Sequence, residues 1–199
     1  MAVIVVTADQ RGGRKGPDLV PAALETLAAT PTLLPFERTA GDEVQGVLDD
    51  PASLPAVVEL LLRAGHWHLG IGVGPVDEPL PDHARAGRGP AYLRAREAVD
   101  AAKTSPWNLR VVAGPDDTDA RDLESLLWLL AALLHRRTDK GWEVVDLADE
   151  GLPYEEIARR VGVTQSAVSQ RAQAAGLVEG RRAREVVARL AARLLGKDA

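Results

Sequence analysis

Residues 155–175 constrain the fold most, because they combine a short helix, a glycine turn and a capped second helix. The sequence predicts a first helix over 155–161 and a turn at Gly162. Thr164 has a side chain suited to cap a second helix over 165–175. Small or apolar residues supply a shared core for the two helices: Ile157, Ala158, Val163 and Val168. This spacing predicts a helix-turn-helix unit.

The second helix of such a unit presents its first turns to the major groove of DNA. Its short polar or forked side chains are suited to reach base edges: Gln165, Ser166, Ser169, Gln170 and Arg171. Neighbouring arginines are expected to contact phosphates, which position the helix without reading sequence: Arg159, Arg160, Arg181 and Arg182. We therefore expect double-stranded DNA as a partner of these residues and of Thr164. The alternative is a three-helix unit with a structural or protein-binding role.

The charge distribution favours the same interpretation. From Ile157 onward the chain has nine Arg or Lys residues and three acidic residues, so this end carries +6 and the remainder −11 of the total −5. A basic end on an acidic body is typical of a DNA-binding appendage, because phosphates attract the end and repel the body. A solvated, arginine-rich helical face is the alternative.

Hydrophobic periodicity divides the N-terminal part into strands and helices. The predicted strands are 2–8, 32–39, 44–48, 66–73 and 109–113, and the predicted helices are 18–29, 53–64 and 89–103. This order is typical of an α+β fold in which helices cover an antiparallel-rich sheet. We expect an N-terminal domain over 1–115, a connecting helix within 116–139 and a C-terminal domain over 140–199.

Two aspartates lie at one predicted edge of the sheet. Asp9 ends the first strand and Asp42 lies in the hairpin turn, so we expect their carboxylates to lie close together. Two carboxylate ligands, with phosphate oxygens completing the shell, are a usual way to bind Mg²⁺. The loop after Asp9 adds cations and glycine N–H groups suited to a polyphosphate: Arg11, Gly12, Gly13 and Arg14. The alternative is that each aspartate only forms a cap or a turn.

Four segments together resemble, in this order, the class III nucleotidyl cyclase domain: Asp9 after its strand, Gly41-Asp42-Glu43 in a hairpin, the strand at 69–76 and the helix at 89–98. The whole chain resembles the SatD-type proteins, a bacterial family that joins such a domain to a C-terminal helix-turn-helix. This resemblance implies a ferredoxin-like palm with Asp9 and Asp42 at the metal positions. It also implies that Arg38 selects a purine base and that Arg96 steadies a triphosphate.

The cyclase pattern is broken at Tyr92, which stands where cyclases place an asparagine used in the transition state. Arg38 is a second departure, because cyclases commonly have a lysine there. A tyrosine cannot supply the hydrogen bonds of an amide, and losing one such group costs about 10²–10³ in rate. We therefore expect no turnover. Tyr92 could instead stack on a base, or it could be a half-buried helix tyrosine that packs on the sheet, and the sequence leaves both open.

A leucine-rich helix is predicted between the two domains, over residues 118–137. Its leucines form an apolar stripe too broad for an exposed linker: Leu123, Leu126, Leu127, Leu130, Leu133 and Leu134. The stripe packs either across the first domain or against a second copy of the chain, and we favour a homodimer.

The composition narrows the function further. The absence of cysteine excludes disulfides and thiolate metal sites, and no apolar stretch reaches the roughly 18 residues that span a bilayer, so we expect a cytoplasmic protein.

We expect a transcription regulator whose N-terminal domain binds a purine nucleotide or cyclic dinucleotide, with or without Mg²⁺. The rival hypotheses are a purine nucleotidyl cyclase regulated by its helix-turn-helix and a constitutive DNA-binding protein whose palm is a dimerisation scaffold.

Overall fold

In this computed structural model, which describes residues 1–12, 16–114 and 117–197, five strands form one mixed sheet. The strands are β1 (Ala2–Gln10), β2 (Leu34–Arg38), β3 (Glu43–Leu48), β4 (Trp67–Pro75) and β5 (Leu109–Val112). Their order across the sheet is β2-β3-β1-β4-β5. β1 is antiparallel to β3 and β4, β2 is antiparallel to β3, and β5 is parallel to β4.

Eight α-helices lie within the described ranges: α1 (Val20–Leu27), α2 (Ser53–Ala64), α3 (Pro90–Ala102), α4 (Thr118–His135), α5 (Asp139–Asp149), α6 (Tyr154–Val161), α7 (Gln165–Ala174) and α8 (Leu177–Leu194). Short 3₁₀ turns precede α3 and β5, at Ala84–Ala86 and Pro106–Asn108. The prediction of a mixed α+β chain is therefore confirmed. No helix in these ranges is long and apolar enough to cross a membrane.

One face of the sheet forms the larger hydrophobic core. Alternate residues of β1 point to this face, including Ile4 and Val6, which are fully buried. The helices that cover them contribute apolar side chains to the same cluster: Val20 of α1, Leu54 and Val57 of α2, Leu123 and Leu127 of α4, and Val187 and Ala191 of α8. The core therefore joins the N-terminal strands to the last helix of the chain.

The other face is covered by α3, which approaches β4 at backbone distance. Gly70, Gly72 and Gly74 alternate along β4 on this face. A Cβ atom at Gly72 would lie 2.2 Å from the backbone nitrogen of Ala95, so only glycine leaves room for the helix backbone there. The repeated Gly-X-Gly pattern of β4 thus fixes how closely α3 packs.

The leucine stripe of α4 is buried inside the chain. Leu123 and Leu127 pack in the sheet core, while Leu130 and Leu134 form a second cluster with Trp142 of α5. The expectation that this stripe is buried between two protomers is therefore wrong, and the alternative, packing across the first domain, is what the structure shows. Leu129, which is 69% exposed, is the large apolar residue of α4 that stays open to solvent.

Helices α5, α6 and α7 enclose a small core of their own. Ile157 of α6, Val168 of α7 and Val144 of α5 are fully buried in it, and Ala148 of α5 packs beside them. Leu177, at the start of α8, closes this cluster, and α8 then runs on to the sheet core. One continuous helix therefore joins the two cores.

A buried ionic network crosses the same junction. Glu59 of α2 accepts hydrogen bonds from Arg137 at 3.3 Å and from Arg184 of α8 at 2.9 Å. The Arg137 side chain is fully buried, and its Nε donates to the carbonyl oxygen of Ala175, directly after α7, at 2.9 Å. Arg184 also contacts Asp149 of α5 at 2.8 Å. Glu59 is therefore shared by two arginines that anchor the C-terminal helices to α2, and Asp149 supplies the second negative charge.

Candidate functional site

The α6–α7 pair is fixed locally by one glycine and one cap. Gly162 ends α6 in the left-handed conformation (φ 68°), which permits the sharp change of direction. Thr164 is extended, and its hydroxyl accepts a hydrogen bond from the backbone nitrogen of Ala167 at 3.2 Å, capping α7. The two helices and the turn lie where the sequence predicts them.

The α7 helix has one buried face and one polar face. Val168 and Ala172 pack in the small core. The opposite face exposes side chains without charge that donate and accept hydrogen bonds: Gln165, Ser166, Ser169, Gln170 and Gln173. The first four were predicted as base-reading residues. Gln173 was missed, although its position three residues after Gln170 places it on the same face.

Two predicted phosphate-contacting arginines lie on the exposed side of α6. Arg159 and Arg160 are both ion-paired with Glu156, and both are largely exposed. Exposed pairs of this kind contribute about 0–1 kcal/mol, so little free energy holds the two guanidinium groups on Glu156. They are therefore free to turn toward an external anion.

Two other predicted DNA contacts are engaged with the protein itself. Arg181 donates to the carboxylate of Asp149 at 2.8 Å and to the carbonyl oxygen of Ala148 at 2.6 Å, which ties α8 to the end of α5. Arg171 is only 24% exposed and faces Glu143 of α5 at 3.9 Å. Arg182 is exposed and has no hydrogen bond or ion pair to the part of the chain that the structure describes. Arg182 is therefore better placed than Arg181 to meet a phosphate.

The sheet edge at the end of β1 carries a cluster of charges on the α3 face. Asp9 is paired in register with Glu43 of β3 and lies 3.5 Å from the ammonium group of Lys103. Arg96 of α3 donates to Glu43 at 2.8 Å and lies 3.4 Å from Asp100. Asp9 and the predicted triphosphate-binding Arg96 are thus at the same edge, each already paired with a protein group of opposite charge.

Asp42 belongs to a different surface. The hydrogen bond from the backbone nitrogen of Gln10 to the carbonyl oxygen of Asp42 sets these two residues opposite each other, one position beyond the Asp9–Glu43 pair. Because successive side chains of a strand alternate between faces, Gln10 is on the face of β1 opposite to Asp9, and the turn residue Asp42 lies on the Gln10 side. It lines a shallow depression of about 590 Å³ together with Gln10, Asp18 and Arg38. The structure therefore separates the two aspartates expected to share one cation.

Arg38, predicted to select a base, is held inside this depression. Its guanidinium group donates to Asp18 and to the carbonyl oxygen of Gly41, both at 2.5 Å. The hydrogen bond from Arg38 lowers the pKa of the Asp18 carboxyl, with a smaller contribution from the backbone nitrogen of Val20. Arg38 thus ties the hairpin turn to the segment before α1.

The predicted phosphate loop is described only in part. Arg11 is exposed, and its backbone nitrogen donates to the carbonyl oxygen of His66 at 2.7 Å. Gly12 has a φ of 72°, a conformation that favours glycine. Gly13 and Arg14 lie outside the described residues.

Tyr92 is a core residue and not an open stacking platform. It is 9% exposed and packs with Val76 and Ala84 between α3 and the sheet. Its hydroxyl group is buried without a hydrogen-bond partner among the described residues, and burial raises its pKa. Of the two alternatives for Tyr92, packing on the sheet is therefore what the structure shows, because its ring is already covered by protein.

No protein family, curated protein or solved structure that we compared with this chain matches it. Within the described ranges, His, Asp and Glu side chains form no group of three or more that could hold a metal ion. What the geometry does bring together is the polar face of α7 with the arginines beside it.

Proposed function

We propose that this protein is a DNA-binding regulator, that α6 and α7 form its helix-turn-helix, and that α7 is the recognition helix. The polar face of α7 is the observation that supports this most. In the part of the chain that the structure describes, the side chains of Gln165, Ser166, Ser169 and Gln170 make no hydrogen bond to protein. A helix that reads base edges needs unpaired hydrogen-bond donors and acceptors on a rigid backbone. The capped and well-packed α7 helix has both.

The same face does not suit a protein partner as well. Protein interfaces depend on buried aromatic or large aliphatic anchors. The polar face of α7 exposes glutamine and serine side chains and no side chain of that kind. The sequence of α7 also contains no acidic residue, so its outward face does not repel phosphates. Both points favour DNA over the alternative of a protein-binding unit.

Phosphate contacts are assigned to three exposed arginines. Arg159 and Arg160 precede α7 on α6, and Arg182 follows it on α8. Phosphate contacts of this kind fix the orientation of a recognition helix in the groove, while the helix itself reads the bases. We leave Arg171 and Arg181 out of this set because both contact α5.

For the N-terminal sheet we propose a palm of the ferredoxin-like type. The order β4-β1-β3-β2 with antiparallel neighbours, and with helices α1 and α2 packed on one face, supports this assignment. The nucleotide–Mg²⁺ site implied by the cyclase resemblance has less support, because Asp9 and Asp42 are on opposite faces and Tyr92 is buried. Of the three hypotheses, the geometry therefore favours the palm as a scaffold for the DNA-binding helices.

A paired set of alanine variants tests the assignment of α7. Replacing both Gln165 and Gln170 with Ala should weaken binding to a duplex selected by the wild-type protein by about 1–3 kcal/mol for each lost base contact. Binding to an unrelated duplex should hardly change. Arg182→Ala should instead weaken both duplexes alike and reduce the slope of log K against log salt concentration by about 1.

Fluorescence anisotropy at several salt concentrations measures these affinities. Arg121→Ala, which removes an exposed arginine of α4, is the matched control and should leave all of them unchanged. If the glutamine variant loses affinity equally for both duplexes, α7 does not read bases and the recognition role fails.

A further inference from the structure

The outward face of α4 carries a large apolar side chain at its middle. Leu129 is 69% exposed there. Asp122, Ser125, Ala132 and Arg136 extend the face in both directions at intervals of three and four residues. Ala132 is half-buried and the other three are exposed. Because this spacing places all five side chains on one stripe of the helix, α4 presents a continuous surface to solvent, opposite to its buried leucines.

The two ends of this stripe carry opposite charges. Asp122 and Arg136 each lie seven residues, or about 10 Å along the helix axis, from Leu129. Arg136 directly follows α4 and keeps a helical backbone (φ −83°, ψ −11°). Neither charged side chain makes a hydrogen bond or an ion pair with the part of the chain that the structure describes. Both charges are therefore available to a second molecule.

The stripe is complementary to itself in the antiparallel direction. When two copies of α4 run antiparallel with their Leu129 side chains at the crossing, Asp122 of each copy lies opposite Arg136 of the other. Ser125 and Ala132 have small side chains, so they leave room on the helix surface for Leu129 of the second copy. Each of these contacts occurs twice about a two-fold axis, the symmetry of most homodimers.

We propose that this face is the interface of a homodimer, in which two α4 helices pack antiparallel about Leu129. The apolar contact lies at the centre, and an ion pair between Asp122 and Arg136 lies at each end, as in interfaces with an apolar core and a polar rim. The charges also set the direction of the pair. A parallel arrangement would place Asp122 opposite Asp122 and Arg136 opposite Arg136, which like charges oppose.

The other leucine with a mostly exposed side chain in the described residues has different surroundings. Leu93 of α3 is 73% exposed. Arg96 and Glu97 follow it at helical spacing, and Arg96 is already paired with Glu43 and Asp100. Leu93 thus has charged neighbours on its face, one of them already paired within the chain. It does not form a self-complementary stripe, and it provides a matched control for Leu129.

The size of the α4 face sets the expected strength of the dimer. Helix α4 has 18 residues and a length of about 27 Å. One pair of helices of this length makes a small interface, and small interfaces are typical of weak or transient complexes. We therefore expect a dissociation constant in the micromolar range.

A two-fold dimer also makes a statement about DNA, and this statement rests on the proposed function. Two copies of α7 related by a two-fold axis read an inverted repeat. The wild-type protein should therefore select inverted repeats, and Leu129→Glu should select single half-sites. Selection of single half-sites by a dimeric wild-type protein overturns this link. If the dimer forms and binds no DNA, the interface stands and the DNA-binding proposal falls.

Sedimentation velocity of the full chain, from about 1 to 200 µM so that a micromolar dissociation constant is bracketed, tests the interface. Leu129→Glu should weaken dimerisation at least tenfold, because it places two carboxylates at the centre. Leu93→Glu should leave dimerisation unchanged. Both side chains are on the surface, so circular dichroism should show both variants folded. A wild-type monomer throughout this range, or a Leu129→Glu dimer as strong as the wild type, overturns the proposal.

A charge exchange tests the antiparallel direction. Asp122→Arg puts arginine opposite arginine, and Arg136→Asp puts aspartate opposite aspartate, so each variant alone should dimerise at least tenfold more weakly than the wild type. An equal mixture of the two variants, one of them fluorescently labelled, should form a heterodimer in which every charge again meets its opposite. Glu25→Arg, an exposed reversal on α1, is the control and should dimerise like the wild type. Full dimerisation of both single variants, or no heterodimer in the mixture, overturns the antiparallel interface.

Discussion

Gly72→Ala should destabilise the protein by about 3 kcal/mol or more, the largest effect that we expect from adding a single methyl group. The new Cβ would lie 2.2 Å from the nitrogen of Ala95 and 2.3 Å from the carbonyl oxygen of Ala91. Both atoms belong to the backbone of α3, so no side-chain rotation can relieve the overlap. The helix would have to move away from β4 and lose its packing along the sheet.

Urea denaturation followed by circular dichroism measures this effect through the free energy of unfolding. Gly114→Ala is the control, because among the described residues a Cβ there would meet only the carboxylate of Asp117, at 3.9 Å. The control should change the free energy of unfolding by no more than about 0.5 kcal/mol. An unchanged denaturation midpoint for Gly72→Ala would contradict the close approach of α3 to β4.

Glu59→Gln should destabilise the protein by about 3–5 kcal/mol, because it removes the shared counter-charge of two arginines. The Arg137 side chain is completely buried and the Arg184 side chain is 21% exposed, so neither charge can recover full hydration in the folded protein. Burial lowers the pKa of Arg137, and the charge of Glu59 acts against that shift. Without Glu59, the junction between α2 and the C-terminal helices would hold an uncompensated charge.

The matched control for this prediction is Asp146→Asn, which removes one charge of an exposed pair and leaves the stacking of Arg63 on Trp142 in place. Arg63 and Asp146 also link α2 to α5 through two hydrogen bonds, but both side chains are more than 40% exposed. Removing an exposed pair should cost about 1 kcal/mol or less. The same urea titration separates the two cases, and equal effects of both variants would mean that burial does not set the importance of the Glu59 network.

The elements whose signals are local could be predicted well from the sequence. α2 has the predicted limits, and α6, the Gly162 turn and α7 differ from the prediction by one residue at most. Periodicity, a glycine that permits a left-handed turn and a threonine cap act within a few residues, so a single sequence contains them. The same holds for the exposed polar face of α7.

The aspartate site shows where local signals are insufficient. Asp9 and Asp42 are at the same edge, as the hairpin predicts, but the register of β1 and β3 pairs Asp9 with Glu43. A shift of one residue moves a side chain to the opposite face of a sheet. The register depends on contacts across the whole hairpin, which the spacing of the two aspartates does not reveal.

The sequence also does not reveal which part of the protein an apolar helix face packs against. The stripe of α4 predicts burial but not its partner. In the sheet core, Leu123 and Leu127 lie beside Val187 and Ala191 of α8, which are 64 residues further along the chain. Gly180, near the start of α8, is a similar case, because a Cβ there would approach Nη2 of Arg137 to 2.6 Å. The small size of Gly180 leaves room for the guanidinium group of Arg137, which is distant in the sequence.

Selection of duplexes from a random-sequence DNA library by the purified full chain tests the central claim, DNA reading by α7, most directly. The wild-type protein should enrich one sequence motif over successive rounds, and the Gln165→Ala/Gln170→Ala variant should lose that enrichment while it keeps salt-sensitive binding to DNA in general. Enrichment of no motif by a folded wild-type protein, or of the same motif by the double variant, would contradict the assignment of α7 as a recognition helix.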